Sequence, residues 1–328
     1  MGLSAPAVSN TAIVGAGEHT YEVHHDWGRL PDRIRFGNTH GVAQDSQRRI
    51  YVFHTVHKSS LSADAMVVFD EEGKFVKSWG REFAGGAHGL HLEREGGQEF
   101  LYLCDIERSV VVKTTLDGEE VLRLGYPKES DFYRLDADGK PLVKYIPTNL
   151  AVGSSGDIYV GDGYGSSYIN HYDRNGVFIR TFGGGRTSEP GSLNCPHGIF
   201  MDRRGGNEEL VTADRSNHRL QYFSLDGKHL RFVAEDMRLP CHFHIRGNLM
   251  LVPDLAARLL ILDRNNRAAA ILGDDSNSDW RKTRTLGREK FPAGRFICPH
   301  GACFDREGNI FVAEWVEVGR LTKLRRLG

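Results

Sequence analysis

An excess of charge of either sign is missing from this chain: 42 lysines and arginines stand against 43 aspartates and glutamates, a formal net charge of −1. That balance leaves no electrostatic footprint for nucleic acid or for an anionic membrane surface. No run of about 18 apolar residues occurs, which excludes a membrane-spanning helix. Five cysteines, an odd number scattered widely, make no disulfide framework and fit a reducing compartment. The amino terminus, Met-Gly-Leu-Ser-Ala-Pro-Ala-Val, lacks the basic start and apolar stretch of a secretory signal, so a cytoplasmic protein is expected. Gly15-Ala16-Gly17 lacks the strand–helix–strand surroundings of a dinucleotide-binding loop.

What the chain does have is a phrase that returns. Histidine then glycine heads an apolar stretch at His40, His88, His197 and His300, and degenerate copies lie at Thr148 and His242. The intervals are 48, 60, 49, 45 and 58 residues. A period of roughly 40–50 residues is that of propeller blades, each built from four short strands. Six copies imply six blades.

A second landmark follows each phrase after 14, 17, 14, 17, 12 and 14 residues, where an apolar stretch ends at His54, Asp105, Asp162, Asp214, Asp254 and Glu314. Hairpin chemistry such as Ser154-Ser155-Gly156-Asp157 separates the two landmarks. Each blade therefore starts with an inner strand, turns, and runs back along a second. The expected fold is all-β: one six-bladed propeller over residues 18–328, preceded by a loose arm at 1–17. The last repeat ends one strand short. Residues Thr20 to Gly28, which look like the outer strands of other blades, are expected to supply it and close the ring. Segments 126–146 and 274–296 exceed the period and are rich in aromatic and charged residues, so they are either surface decoration or lids.

Inner strands surround a propeller's axis, so residues at their heads lie at one mouth of the channel. His88, His197 and His300 fall in blades two, four and six. This alternation suits three imidazoles around one metal with a position left open. Five histidines among six equivalent positions is improbable by chance in a chain with 15 histidines. Such a ring cannot carry several charges at once, so a cation or a dense hydrogen-bond network has to organise it.

The run Pro147 to Ala151, then Ile158 to Tyr164, the phrase Cys195-Pro196-His197-Gly198, and Ala213 to Arg219 resemble NHL repeats. More narrowly they resemble the lyase domain of peptidylglycine α-amidating enzymes, in register over most of 38–325. That resemblance implies a six-bladed NHL propeller holding zinc through His88, His197 and His300. It also implies a catalytic tyrosine at Tyr164 and an active-site arginine at Arg215. The chain departs from the pattern at Thr55, where the family has a second arginine, and at Gly301, where it has an acid that helps bind calcium. Gly165 stands in place of a disulfide cysteine. Zinc is therefore the first expectation for the cofactor, with iron or another transition metal open, and structural calcium loses its support.

Tyr164 is a candidate general base, or else an aromatic plug over the channel. Arg215 is a candidate for stabilising oxyanion charge, or else pairs with an acid of a neighbouring blade. His40, His242, His54 and Arg108 are candidate substrate contacts. The expected partner is a small molecule, with no nucleic acid and no membrane. Three functions fit these residues: a metal-dependent lyase on a small hydroxylated substrate unlike the amidating lyase's, a metal-dependent hydrolase of an ester, lactone or glycoside-like centre, and a non-catalytic interaction platform.

Overall fold

Each copy of the phrase becomes, or leads into, the innermost strand of one antiparallel blade. The computed structural model describes residues 12–275 and 278–328. Their six sheets have inner strands Thr39–Gln44, Ala87–Glu95, Asn149–Val152, Pro196–Asp202, His244–Arg246 and Pro299–Phe304. In blade one the second and third strands are packed on both faces, and their sequences run largely apolar without alternation. Ile50–His54 and Met66–Phe69 are buried at every position, whereas the outer strand Phe75–Trp79 is not. The core is thus divided into apolar layers between neighbouring blades, such as Tyr51, Phe53, Met66, Leu90 and Leu103 between blades one and two.

The acid that ends the second strand has a mechanical role. In four blades it accepts a backbone N–H from the segment leading into that blade's inner strand. The donors are Ile146 to Asp162 (2.6 Å), Asn194 to Asp214 (2.7 Å), Leu239 to Asp254 (2.8 Å) and Ile297 to Glu314 (2.8 Å). In three of these an arginine of the third strand neutralises the buried carboxylate: Arg219, Arg258 and Arg320, each through Nε. The acids therefore pin the connections that bring the ring residues to the mouth.

Closure follows the expectation. Tyr21–His24 pairs antiparallel with Arg320–Arg326, Val23 lying opposite Leu324, and Tyr21 and Val23 enter the core of the last blade. Part of the stretch expected as an arm at 1–17 is built into the last sheet. Ile13–Val14 adds a fifth strand outside Tyr21–His24, and residues 1–11 lie outside the described residues. A two-residue strand offers no periodicity to read. Among the described residues, no helix is long and apolar enough to cross a membrane.

Both long segments fold onto the blades near the mouth. In 126–146, Tyr126, Tyr133 and Tyr145 pack edge to face, and the Tyr133 hydroxyl donates to Asp162 at 2.7 Å. In 274–296, Trp280 packs in a cluster with Cys241, Ile297 and Cys298. Arg284 stacks on Trp315 and donates to Asn38 Oδ1 at 3.0 Å.

Candidate metal centre

Glycine follows histidine in three blades for one geometrical reason. A Cβ at Gly89 would lie 2.5 Å from the Thr148 carbonyl oxygen, one at Gly198 2.4 Å from that of Cys241, and one at Gly301 2.4 Å from that of His40. Only glycine lets the next blade's carbonyl come this close. The preceding histidine uses that same oxygen: His88 Nδ1 donates to Thr148 O (2.7 Å), His197 Nδ1 to Cys241 O (2.8 Å) and His300 Nδ1 to His40 O (2.9 Å). A carbonyl can only accept, so each of the three carries its proton on Nδ1 and presents a bare Nε2. Blades two, four and six are thereby alike. The contact also explains Gly301 as a departure, because an acid there would collide with the His40 carbonyl.

The rings converge. Centroids lie 4.9 Å apart for His88–His197, 4.7 Å for His88–His300 and 4.8 Å for His197–His300. His40 joins from blade one, 4.9 Å from His88 and 4.5 Å from His300. Ligand atoms of His40, His88 and His300 all fall within 4.8 Å of one another. Burial, the largest cause throughout, holds every ring neutral: His88 is lowered to about 3, and His40, His197 and His300 well below the usual imidazole value.

Tyr164 spans two members of this set. Its hydroxyl is 3.2 Å from His88 Nε2 and 3.0 Å from His197 Nε2, and one phenolic proton serves only one of these acceptors. His300 Nε2 and His40 Nδ1 are buried with no hydrogen-bond partner. Bare nitrogens therefore outnumber the protons available, and the deficit is what a cation accepting several lone pairs would fill. An all-imidazole donor set suits zinc, iron, nickel or copper, not calcium or magnesium.

Arg215 begins a short turn after the strand Glu209–Asp214, its N–H bonded to Cys195 O at 3.2 Å. Cys195 takes φ of 62°, a left-handed conformation that costs about 1 kcal/mol or more and aims this corner inward. Arg215 Nη1 lies 3.5 Å from the Tyr164 hydroxyl, with no carboxylate in ion-pair reach among the described residues. The pairing with an acid belongs to Arg219. Burial raises the Tyr164 phenol to about 12, against the pull of Arg215.

Two expected substrate contacts are placed elsewhere. Arg108 is used locally, its Nε donating to Asp105 Oδ2 at 2.7 Å and its guanidinium covering Phe83. His54 does the work of the missing acid: Nδ1 accepts the N–H of Val56 (3.0 Å) and of Gly37 (3.4 Å), which leads into blade one's inner strand. His242 holds the blade-five position, both ring nitrogens buried without a partner. The three carbonyls that brace the histidines went unrecognised in the sequence, although glycine after histidine was their signal.

Bracing by a carbonyl makes a prediction that removes no ligand. Gly198→Ala should push the Cys241 carbonyl off His197 and lower metal affinity by about 10–100-fold, measured by competition with a chelator. Unchanged affinity would detach the glycine from the metal site.

The fold and site define a class: a six-bladed propeller with a histidine-lined mouth. The proteins it is similar to include amidating enzymes and an NHL repeat-containing protein. Peptidyl-glycine alpha-amidating monooxygenase A of Xenopus laevis is 26% identical over 251 residues, 68% of this chain and 25% of that protein. Peptidyl-alpha-hydroxyglycine alpha-amidating lyase 1 of Drosophila melanogaster is 25% identical over 232 residues, 62% of this chain and 40% of that protein. The chain thus matches less than half the length of either. Among solved structures, XC5397 of Xanthomonas campestris, a gluconolactonase, superposes with a TM-score of 0.61 at 13% identity, over 94% of this chain and 91% of that one, a likeness of fold. No protein-family model matches the chain.

Proposed function

We propose that the chain is a metal-dependent lyase acting at the propeller mouth on a small, polar, hydroxylated substrate other than the amidating lyase's. The observation that carries this reading is the shared tautomer of His88, His197 and His300. Each leaves Nε2 bare, their ring centroids lie within 4.9 Å of one another, and a phenol lies across two of the three Nε2 atoms. A platform for partner proteins has no need of such convergence.

His88, His197 and His300 would hold the cation. When bound, a divalent ion supplies Lewis acidity toward a substrate hydroxyl or carbonyl oxygen. Tyr164 would take a proton from a substrate group beside the ring and return it to the leaving group. Arg215 keeps a positive charge against Tyr164 and the developing negative charge. His242 is left to contact substrate through its partnerless nitrogens. The relatives named as lyases support elimination.

Turnover of metal-loaded protein in ¹⁸O-labelled water tests this, with α-hydroxylated amides offered beside esters and lactones. Elimination puts no solvent oxygen into a product trapped at once by reduction. One labelled oxygen per turnover would contradict the lyase reading and favour a hydrolase.

A further inference from the structure

We propose that His40 is a fourth nitrogen ligand of the cation held by His88, His197 and His300. The proposal rests on the metal-dependent reading above and concerns blade one, whose histidine the three-fold alternation leaves over.

The His88–His300 edge is shared by two triangles of imidazoles, one completed by His197 and the other by His40. The second is at least as tight. His40–His300 is the shortest centroid separation in the set at 4.5 Å, and His40 offers a ligand atom within 4.8 Å of those of His88 and His300. A ring lodged against two others has little room to serve as a separate substrate contact.

Its hydrogen bonding points the same way. His40 Nδ1 is buried and has no partner. Gly41 explains why. A Cβ there would meet the Leu90 side chain at 2.4 Å, where the glycines of blades two, four and six meet a carbonyl oxygen. Blade two therefore offers His40 no acceptor, and no carbonyl fixes its tautomer. A buried imidazole nitrogen without a partner is costly, and a metal ion close by would remove that cost. The His40 carbonyl meanwhile braces His300 Nδ1 at 2.9 Å, so the residue supports one ligand while offering another.

His242 is the natural control. Its nitrogens are also partnerless, but among the described residues its ring makes none of the ring contacts that join the other four. Four nitrogens close a tetrahedral ion, so substrate would have to enter as a further ligand, whereas three leave a position free. Because His40 is unbraced, it should contribute less affinity than each of the other three.

Cobalt(II) is a suitable probe because its visible spectrum responds to the number and geometry of its ligands. In the cobalt-loaded protein, His40→Gln should weaken binding about tenfold or more and alter the spectrum, while His242→Gln changes neither. X-ray absorption at the cobalt edge of the unaltered protein, which needs no variant to fold, should count four imidazole nitrogens. Three nitrogens, or a His40→Gln protein with the original spectrum and affinity, would overturn the assignment of His40 alone. A protein that binds no cobalt would overturn the metal centre together with it.

Discussion

Replacing Tyr164 by phenylalanine should lower turnover by a factor of about 10²–10⁴ while leaving metal content unchanged. The phenol is the group placed across two ring nitrogens, 3.2 and 3.0 Å away, and it carries the proton shared between them. Without a cation, burial raises its pKa to about 12, where it can donate a proton but hardly accept one near neutral pH. Two positive charges would change that, Arg215 at 3.5 Å and an ion held by the histidines in the loaded protein. The rate should therefore rise with pH through a single ionisation that the phenylalanine variant lacks. Arg215→Met should move that ionisation to higher pH. A Tyr164→Phe enzyme with full rate and an unchanged profile would leave the tyrosine as a plug over the channel.

The metal-free protein should be unusually sensitive to mild acid. An imidazole whose pKa is lower in the folded chain than in the unfolded one contributes stability above the unfolded value of about 6.5. That contribution is lost as pH falls toward the folded value. His54 and His88 are each lowered to about 3, and His40, His197 and His300 well below the ordinary value, with burial the largest cause in every case. Between pH about 6.5 and 4 the unfolded chain gains protons that the folded chain refuses. The cost approaches ~1.4 kcal/mol per pH unit for each of His54 and His88, and the other three rings act in the same direction. Against a typical total of about 5–15 kcal/mol, that is a large loss of stability across this range. Circular dichroism of chelator-treated protein through an acid titration reads this directly. A melting temperature that stays flat down to pH 4.5 would mean that these rings accept protons without strain.

The blades were legible because the propeller repeats one local problem six times. An inner strand must begin at the mouth, and in five blades the second strand ends in a group that pins the connection into it. Both solutions recur as residue types at regular spacing. Closure by Tyr21–His24 was legible because the last repeat ends one strand short. The ring histidines were legible for the same reason, at strand heads, whereas Tyr164 and Arg215 were suggested only by the resemblance to the amidating lyase domain.

Pairings between blades were not legible, since spacing along the chain carries no information about a neighbour 44 to 260 residues away. The carbonyls of Thr148, Cys241 and His40 that fix the tautomers are contacts of this kind. His54 looked like a contact for substrate because it is a histidine near the mouth. Its position at the end of a second strand gives it the structural task of the acid it replaces. Arg108 follows Asp105 by three residues, close enough for the turn itself to use the guanidinium.

If three braced imidazoles on alternate blades form a metal centre, removing any one of them should empty it. Metal content after dialysis against a weak chelator tests this, measured by mass spectrometry on the unaltered protein and on His88→Ala, His197→Ala and His300→Ala. Each substitution leaves two braced nitrogens and, beside them, only the unbraced His40, a set that should hold a divalent ion much less well against a chelator. We expect about one equivalent of a transition metal per chain in the unaltered protein, and under roughly a tenth of that in each variant. Full retention in all three variants, or no transition metal in the unaltered protein after reconstitution, would contradict the account.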